Sequence, residues 1–435
     1  MKVRSTFLVV IAVTSIASAA CSSAATTAPT AAPASVAPAS VAPASVAPAS
    51  AAASAAASAA TGAALTVSSF DGTFSAMAQL KSLTAAGTGL VGVVLPDATS
   101  SGRYVSYDAP YLTQAFQAAG YDTSQFKIDN AQGTDATELA LAQADIQAGA
   151  KVLLVDPIDS VVGNQIQAAA EAAGVKMISY DRATFQGTNT YYVSFDNVQV
   201  GKLIGQGFMQ CVTDWGVQNP KVFQLNGGQD TDPNAISFAE GYNSVIWGSQ
   251  EALPKVGTKN SAGYTLVGNQ IAPGWDNAKG QAIFQQAYTA DKSINATVEA
   301  NDGLAQSVIT VLKAAGVPAK KIPTTGQDAT IQGMESILQG YQCGSVYKPI
   351  YLEAQAAVAL ATYLRAGQTP PSGLVNGTTT DPKNSASTQP AILLTPYWVN
   401  AANMASTVIK DKFVSATDLC SAVGASVCAA ASITP

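Results

Sequence analysis

Two residues of opposite charge, Asp181 and Arg182, directly follow the apolar run VKMISY at residues 175–180. Charge is rare in this chain, since only 11% of its 435 residues are Asp, Glu, Lys or Arg. Other apolar runs also end on polar, charged or aromatic side chains: Asp97 and Arg103; Asp156; Asp196 and Asn197; Asp230, Asp232 and Asn234; Trp275; Asn301 and Asp302; Gln327 and Asp328; and Lys348. The pattern predicts that functional side chains lie at the ends of strands.

These side-chain types suit the recognition of neighbouring hydroxyl groups. Carboxylates, amides and guanidinium groups each form two hydrogen bonds at once, and adjacent sugar hydroxyls present donors and acceptors at a matching spacing. A site that removes water from a sugar must replace every lost hydrogen bond, and an aromatic ring such as that of Trp275 can cover the apolar face of the sugar. We therefore predict a cleft that binds a small neutral carbohydrate without altering it.

The same residues also have structural interpretations, which remain open at the level of sequence. In these interpretations Asp97, Asp156 and Asp302 cap helices, Asp196 connects loops near a hinge, and Trp275 packs in the core or in a lid. Arg182 forms a surface ion pair with Asp181, and Lys348 is simply solvated.

Composition disfavours several other classes of protein. The chain has no histidine and no C-x-x-C motif, so we expect no metal site, no Ser-His-Asp or Cys-His catalysis and no cofactor. Its 22 basic and 28 acidic residues give a net charge of −6 without a basic patch, so nucleic acid is not an expected partner. GTGLVG at 87–92 precedes a strand, and NGGQ at 226–229 lacks a following Lys-Ser or Lys-Thr, so neither is a nucleotide-binding loop.

Short apolar runs alternate with alanine-rich amphipathic segments from Leu90 onward. The runs include LVGVVLP, KVLLVDP, VKMISYD, YYVSFDN, KVFQLNGG, YTLVGNQ, ATVEAND, PTTGQDA and CGSVYKP, and helices are predicted near 104–120, 160–174, 198–214, 233–248, 276–290, 303–315, 330–339 and 351–366. This alternation is typical of α/β folds with parallel sheets covered on both faces. Such sheets bind ligands at the carboxyl ends of their strands, where the polar residues lie.

The first 64 residues show no pattern of a folded core. Residues 1–20 place Lys2 and Arg4 before an apolar stretch, as in an export signal peptide, and residues 21–64 repeat APASV, which predicts an extended Ala/Pro/Ser-rich linker. SAAC resembles the site where a bacterial lipoprotein is acylated, here on Cys21, although Ser18 stands where an aliphatic residue is usual. Ordinary cleavage nearby is the alternative. Residues 65–87 predict a lead-in segment with one helix.

No later segment is long and apolar enough to span a bilayer. The expected location is therefore extracytoplasmic, with a lipid anchor on the outer face of the cell membrane.

Four further cysteines, Cys211, Cys343, Cys420 and Cys428, allow three pairings, and an exported chain favours their oxidation. The eight-residue spacing of Cys420 and Cys428 favours a local disulfide, which would leave Cys211 to pair with Cys343.

From about residue 89 to 415 the chain resembles the bacterial periplasmic sugar-binding proteins of ABC transporters, of the D-xylose-binding and multiple-sugar-binding type. The matching segments, in order, are SYDR, YYVSFDNVQVG, LNGGQDTDPNA, GW at 274–275, ANDG, TGQDA, VYKPI and LLTP. The resemblance implies an α/β fold of periplasmic binding protein type 1, with two Rossmann-like lobes joined by a three-strand hinge. Residues 88–197 and 349–390 would form the N-terminal lobe, and residues 198–348 and 391–435 the C-terminal lobe and tail.

The resemblance also implies a ligand site and a partner. Its sugar contacts would be Arg103, Tyr104, Asp181, Arg182, Asn234, Trp275, Asn301, Asp328 and Lys348. Tyr104 replaces a tryptophan that is common in the family, and the single Asn234 replaces consecutive asparagines. The expected ligand is a pentose such as xylose, or a related sugar or acyclic polyol. The expected protein is a monomer that passes the ligand to the permease of an ABC importer.

Two other classes share part of the pattern. A secreted glycoside hydrolase on a (β/α)₈ barrel could use carboxylates such as Asp181 and Asp302 as acid and base. A sugar-responsive repressor would need a helix-turn-helix before Leu90, where this chain has a predicted signal peptide and linker.

Overall fold

The structure is a computed structural model, and it describes residues 65–185 and 190–435. The predicted signal peptide at 1–20, the acylation site at Cys21 and the linker at 21–64 lie outside the described residues. Within the two described ranges, no helix combines the length and apolar character needed to cross a membrane.

The described chain contains alternating strands and helices from Leu90 onward. The strands are β1 (Leu90–Leu95), β2 (Phe126–Asn130), β3 (Ala150–Val155), β4 (Lys176–Tyr180), β5 (Thr190–Phe195), β6 (Lys221–Asn226), β7 (Thr265–Ile271), β8 (Ala296–Glu299), β9 (Gly326–Gln327), β10 (Ser345–Tyr347), β11 (Gly377–Asp381), β12 (Asn384–Leu394) and β13 (Tyr397–Val399). The α-helices are α1 (Lys81–Ala86), α2 (Ala109–Ala118), α3 (Asp135–Gln147), α4 (Ser160–Ala172), α5 (Asn197–Asp214), α6 (Pro233–Ile246), α7 (Asn277–Ala290), α8 (Asp302–Ala314), α9 (Ile331–Leu338), α10 (Ile350–Arg365), α11 (Ala416–Val423) and α12 (Ala425–Ala430).

The first lobe is built on a seven-stranded sheet in the order β11-β12-β5-β4-β3-β1-β2, in which only the β11–β12 pair is antiparallel. Its central strands are mostly apolar and buried because helices cover both faces. Val91 and Val93 pack with helix α10 in a hydrophobic cluster on one face of the sheet. Val94 packs with helix α4 in a second cluster on the other face. The lead-in segment adds Phe70 and Met77 to the first of these clusters.

The second lobe contains two three-stranded sheets, β7-β6-β8 and β13-β10-β9. They lie side by side, since the amide of Thr297 in β8 donates to the carbonyl of Pro323 at 2.9 Å. Helices α5 and α6 cover this lobe and pack closely through two glycines. A Cβ on Gly201 would lie 2.0 Å from the carbonyl oxygen of Phe238, so only glycine fits at that contact.

The chain passes between the lobes three times, after β5, after β10 and after β12. This arrangement confirms the α/β class with two lobes and a three-strand hinge. The predicted boundary between residues 390 and 391 falls inside β12, which continues to Leu394 in the larger sheet. The glycoside hydrolase alternative requires a closed barrel, and this prediction is wrong for the described residues. Their seven-stranded sheet is open, with β11 and β2 at its edges.

Two disulfide bonds join Cys211 to Cys343 and Cys420 to Cys428, as the cysteine spacing favours. The first connects α5 to the segment before β10, and the second joins α11 to α12 near the C-terminus.

Candidate functional site

The strand ends of both lobes meet around one small cavity with a free volume of about 30 Å³. The side chains that line it therefore lie close together. All nine residues predicted to contact a sugar line this cavity: Arg103, Tyr104, Asp181 and Arg182 from the first lobe, and Asn234, Trp275, Asn301, Asp328 and Lys348 from the second. The structure thus brings together residues that are up to 245 positions apart in the sequence, from Arg103 to Lys348 (348 − 103 = 245).

Three of these residues have an unusual backbone conformation. Asp181, Trp275 and Asp328 have φ angles of 57°, 60° and 91°, in the left-handed region that favours glycine. Such strained residues cluster at functional sites, where the surrounding structure holds them in place. At Asp181 the amide still donates to the carbonyl of Val193 in β5, so the chain turns sharply at the edge of the cavity.

Arg103 is the centre of a buried ion-pair cluster. Its Nε and Nη2 donate to the two carboxylate oxygens of Asp108 at 2.9 and 2.7 Å, its Nη1 donates to Asp181 at 2.7 Å, and its Nη2 also donates to Glu353 at 2.7 Å. Four of the five N–H groups of the guanidinium therefore donate to carboxylates of the protein. In this arrangement Arg103 mainly positions Asp181 and leaves a single N–H group for a ligand.

The cluster keeps Asp181 ionised. Burial alone would raise the pKa of this carboxyl group, but the charges of Arg103, Lys348 and Arg182 outweigh burial and lower the pKa to about 2. An ionised carboxylate accepts hydrogen bonds and does not donate them. Asp181 is therefore suited to accept hydrogen bonds from hydroxyl groups and is unsuited to act as a general acid.

Arg182 connects several elements at the boundary between the lobes. Its Nη1 donates to the carbonyls of Pro157 and Ile158 at 3.2 and 3.1 Å, and its Nη2 donates to the hydroxyl of Tyr104 at 3.1 Å. Its Nε lies 3.6 Å from Asp232 of the second lobe. Because only 6% of Arg182 is exposed, its interpretation as part of a surface ion pair is wrong.

Tyr104 lies beneath two cations. Its ring centroid is 5.6 Å from the guanidinium carbon of Arg103 and 5.7 Å from that of Arg182, which is within the range of cation–π attraction. Its hydroxyl also lies 3.4 Å from Asp181. Tyr104 therefore bonds to the polar groups of the site through its hydroxyl, a group that tryptophan lacks.

Lys348 lies between carboxylates of the two lobes. Its Nζ is 3.2 Å from Asp328 of its own lobe and 3.7 Å from Asp181 of the other. Burial disfavours the ammonium group, but these two carboxylates raise its pKa above the ordinary value. Lys348 is buried, so the alternative that it is merely solvated is wrong.

Trp275 rests on a glycine turn. A Cβ on Gly227 would lie 2.1 Å from the indole ring, which gives a physical role to the first glycine of NGGQ. The indole N–H donates to Asp232 at 3.1 Å, and the ring of Phe238 meets the indole edge at a centroid distance of 6.3 Å. The two rings provide an apolar wall of the cavity.

Asn234 and Asn301 have structural bonds besides their place in the cavity. The amide nitrogen of Asn234 donates to the backbone carbonyl of Asp181 at 2.7 Å, which links the lobes directly. The side chain of Asn301 caps helix α8 by accepting from the amide of Leu304 at 2.9 Å.

Five other strand-end carboxylates lie outside the cavity lining: Asp97, Asp156, Asp196, Asp230 and Asp302. Asp97 accepts from the amides of Thr99 and Ser100, and Asp196 caps α5 at the first crossing between the lobes. Asp302 begins α8 and accepts from three other segments, while the cap of α4 is Asp159 and not Asp156. Asp156 is buried 3.8 Å from Arg182, and burial raises its pKa well above the ordinary value.

The cavity also contains residues that were not predicted as contacts: Ser100, Ser101, Asp232, Phe238 and Gln327. Asp232 and Gln327 stand in strand-end segments that were recognised in the sequence. Phe238 lies four residues after Asn234 on α6, on the same helix face, so helical spacing could have identified it. The two serines carry no distinctive pattern.

The charges that line the cavity balance in sign. The cations are Arg103, Arg182 and Lys348, and the anions are Asp181, Asp232 and Asp328. A balanced lining favours an uncharged polar ligand, because a charged one would leave a buried charge without a partner. In the described ranges, no group of three metal-binding side chains is close enough to hold a metal ion.

Glu299 offers a test of buried charge away from the cavity. Burial raises its pKa to about 8, although hydrogen bonds with the Thr297 side chain and the Thr325 amide oppose the shift. In the unfolded chain a glutamate has a pKa of about 4.3, so this group's stabilising contribution is complete below that pH and is lost as the pH rises towards 8. We expect Glu299→Gln to become more stable relative to the wild type between pH 5 and pH 8, by about 2 kcal/mol in order of magnitude.

Urea denaturation at both pH values measures this difference. The exposed Glu251→Gln is the matched control, and its stability should follow the pH profile of the wild type because it retains Glu299. Parallel pH profiles for Glu299→Gln and the wild type would contradict the prediction.

Comparison with known proteins identifies the family of this chain. Residues 91–369 match the family model described as periplasmic binding protein domain. The chain is 32% identical over 293 residues to the D-xylose-binding periplasmic protein of Escherichia coli strain K12, with 67% of this chain and 82% of that protein covered. It is 30% identical over 347 residues to the multiple sugar-binding periplasmic receptor ChvE of Rhizobium radiobacter, with 77% and 93% covered.

A solved structure is similar as well. A carbohydrate transporter solute binding protein from Chloroflexus aurantiacus, in complex with D-glucose, has a TM-score of 0.64 and 26% identity, with 76% of this chain and 98% of that chain covered. None of these relatives is named as an enzyme. The family resemblance indicated by the sequence motifs is confirmed, and the chain belongs to the periplasmic binding protein family.

Proposed function

We propose that this protein captures a neutral monosaccharide between its two lobes and delivers it to an ABC importer. The observation that carries the proposal is the position of Lys348, which lies within 3.7 Å of Asp181 in one lobe and 3.2 Å of Asp328 in the other, inside a single small cavity. A ligand that bonds to these three groups bonds to both lobes at once. Binding then favours the closed arrangement over an open one.

A pentose such as xylose, or a related sugar or polyol, is the ligand class that we favour. The cavity is small, its lining charges balance, and Trp275 and Phe238 supply an apolar wall for the C–H face of a ring. The names of the similar proteins add support, since they include binding proteins for D-xylose and for multiple sugars.

The nine predicted contact residues would have different tasks. Asp181, Arg182, Asp328 and Lys348 would bond to ligand hydroxyls, and Asn301 would add an amide. Trp275 would cover one face of the ring. Arg103, Tyr104 and Asn234, whose polar groups already bond to protein groups, would mainly hold the others in place.

We also propose that the protein is a monomer held at the outer face of the cell membrane. Acylation of Cys21, after removal of residues 1–20, would provide the anchor, and the 21–64 linker would carry the folded lobes away from the membrane towards a permease. Mass spectrometry of the mature N-terminus tests the anchor. A diacylated Cys21 would support it, and an unmodified N-terminus downstream of Cys21 would contradict it.

Calorimetric titration against a panel of sugars tests the binding proposal. The panel consists of D-xylose, L-arabinose, D-ribose, D-glucose, xylitol and myo-inositol, with glucuronate as a charged control. We expect saturable binding of at least one neutral member and none of glucuronate. Absence of binding to every neutral member would overturn the proposal.

A further inference from the structure

The C-terminal segment after β13 is anchored on the second lobe. Strand β13 pairs antiparallel with β10, and helix α11 packs against helix α9. Residues of the segment, including Met404, Val408 and Leu419, share one buried cluster with Met334 of α9 and Tyr347 of β10. The Cys420–Cys428 disulfide fixes its end. The segment is therefore an integral part of the second lobe.

Asp411 of this segment bonds to both sides of the second crossing between the lobes. One carboxylate oxygen accepts from the hydroxyl of Tyr347 at 3.1 Å and from the hydroxyl of Tyr351 at 3.2 Å. Tyr347 ends β10 in the second lobe, whereas Tyr351 lies in the first turn of α10, which packs on the first lobe. The carboxylate therefore holds the two ends of this crossing together.

Phe413 makes a second contact between the lobes. Its ring stacks on that of Tyr107, with centroids 4.1 Å apart and planes at 14°, and it also lies 4.9 Å from the ring of Tyr347. Tyr107 belongs to the first lobe. Phe413 is 3% exposed, so the contact is well shielded from water.

Tyr107 lies in a helical turn, Tyr104–Asp108, that carries part of the ligand cavity. Tyr104 at its start lines the cavity, and Asp108 at its end holds Arg103, which in turn holds Asp181. A movement of Tyr107 away from Phe413 would therefore displace the turn on which these side chains depend. None of Tyr107, Asp411 and Phe413 lines the cavity itself.

We propose that Asp411 and Phe413, which we term the 411–413 clasp, are positioning residues for ligand binding. They stabilise the arrangement in which the Tyr104–Asp108 turn faces the second lobe, so they raise the fraction of molecules that are competent to bind. Apparent affinity falls in proportion to that fraction, although the clasp touches no ligand. This inference rests on the proposed function, because it concerns the same cavity.

The test uses Phe413→Ala and Asp411→Ala in the full mature chain, with D-xylose as the probe. An aromatic stacking contact corresponds to roughly a two- to tenfold change in an equilibrium, so we expect D-xylose affinity to fall by about that factor in Phe413→Ala. Asp411→Asn, whose amide oxygen can still accept from a tyrosine hydroxyl, should bind within about twofold of the wild type.

Phe126→Ala is the matched control. Phe126 stacks on Phe116 with centroids 4.5 Å apart, but both rings lie in the first lobe, away from the cavity lining. This variant should lose thermal stability while its affinity for D-xylose is unchanged. Small-angle scattering should show a larger radius of gyration for Phe413→Ala than for Phe126→Ala.

The outcomes separate the two proposals. Unchanged affinity and radius of gyration in both Phe413→Ala and Asp411→Ala, with wild-type binding intact, would overturn the clasp alone. Failure of the wild type to bind any neutral sugar would overturn the proposed function instead. If Phe413→Ala does not fold, the comparison of Asp411→Ala with Asp411→Asn decides, since only the alanine variant should lose affinity.

Discussion

Asp328→Ala and Arg182→Ala are each expected to weaken sugar binding by ~2 kcal/mol or more, which is a loss of roughly 30-fold in affinity. Removal of Asp328 leaves the buried ammonium of Lys348 with Asp181 as its remaining carboxylate, at 3.7 Å. Removal of Arg182 leaves the buried carboxyl groups of Asp232 and Asp156 without the guanidinium, whose Nε lies 3.6 and 3.8 Å from them. Each variant also deletes a group that would bond to ligand hydroxyls.

Calorimetry with the tightest-binding sugar of the panel measures both losses. Asp214→Ala is the control, because it removes an exposed carboxylate at the end of α5 in the second lobe. Its affinity should equal that of the wild type. Wild-type affinity in both Asp328→Ala and Arg182→Ala would discard this cavity as the binding site.

Arg103→Met is expected to lower the free energy of unfolding by about 3–5 kcal/mol, because it removes the cation of a buried ion-pair network and leaves the carboxylates in place. The substitution leaves the carboxylates of Asp108, Asp181 and Glu353 within the protein without the cation that joins them. Burial already raises the pKa of Glu353 to about 8, and without Arg103 the like charges of Asp181 and Asp108 would oppose its ionisation further.

Urea denaturation compares Arg103→Met with Lys279→Met. Lys279 forms an exposed ion pair with Asp276 at 3.5 Å, and loss of such a pair costs at most about 1 kcal/mol. Equal stability losses in the two variants would show that the Arg103 cluster contributes no more than a surface pair. Arg103→Met should also bind sugar more weakly, since Asp181 loses its main partner.

Strand ends were the part of the fold that the sequence revealed best. Short apolar runs such as VKMISY favour buried strands in a chain with so few charges, and parallel pairing brings their carboxyl ends to one edge. For that reason, residues as distant as Arg103 and Lys348 could be assigned to one cavity before the structure was known.

Strand β2 was missed for a physical reason. The sequence of β2, FKIDN, lies at the edge of the sheet, where no strand covers one side, so it tolerates Lys127 and Asp129 and lacks an apolar run. The β11–β12 hairpin is polar for the same reason, since β11 forms the opposite edge. The third crossing was consequently placed too early.

The role of Arg103 could not be read from the sequence either. Its partners Asp108, Asp181 and Glu353 come from three separate segments, and only the tertiary structure shows that they use four of its N–H groups. Ser100 and Ser101 were missed because a serine after a strand is equally common in turns. Asp181, by contrast, was identified from its position beside Arg182 and directly after the apolar run VKMISY.

A crystal structure of the protein with the tightest-binding neutral sugar tests the central claim most directly. We predict one sugar in the cavity between the lobes, with hydroxyl groups bonded to Asp181 of the first lobe and to Asp328 or Lys348 of the second, and with one ring face against Trp275 or Phe238. A sugar bound elsewhere, or bonded to the side chains of only one lobe, would contradict it.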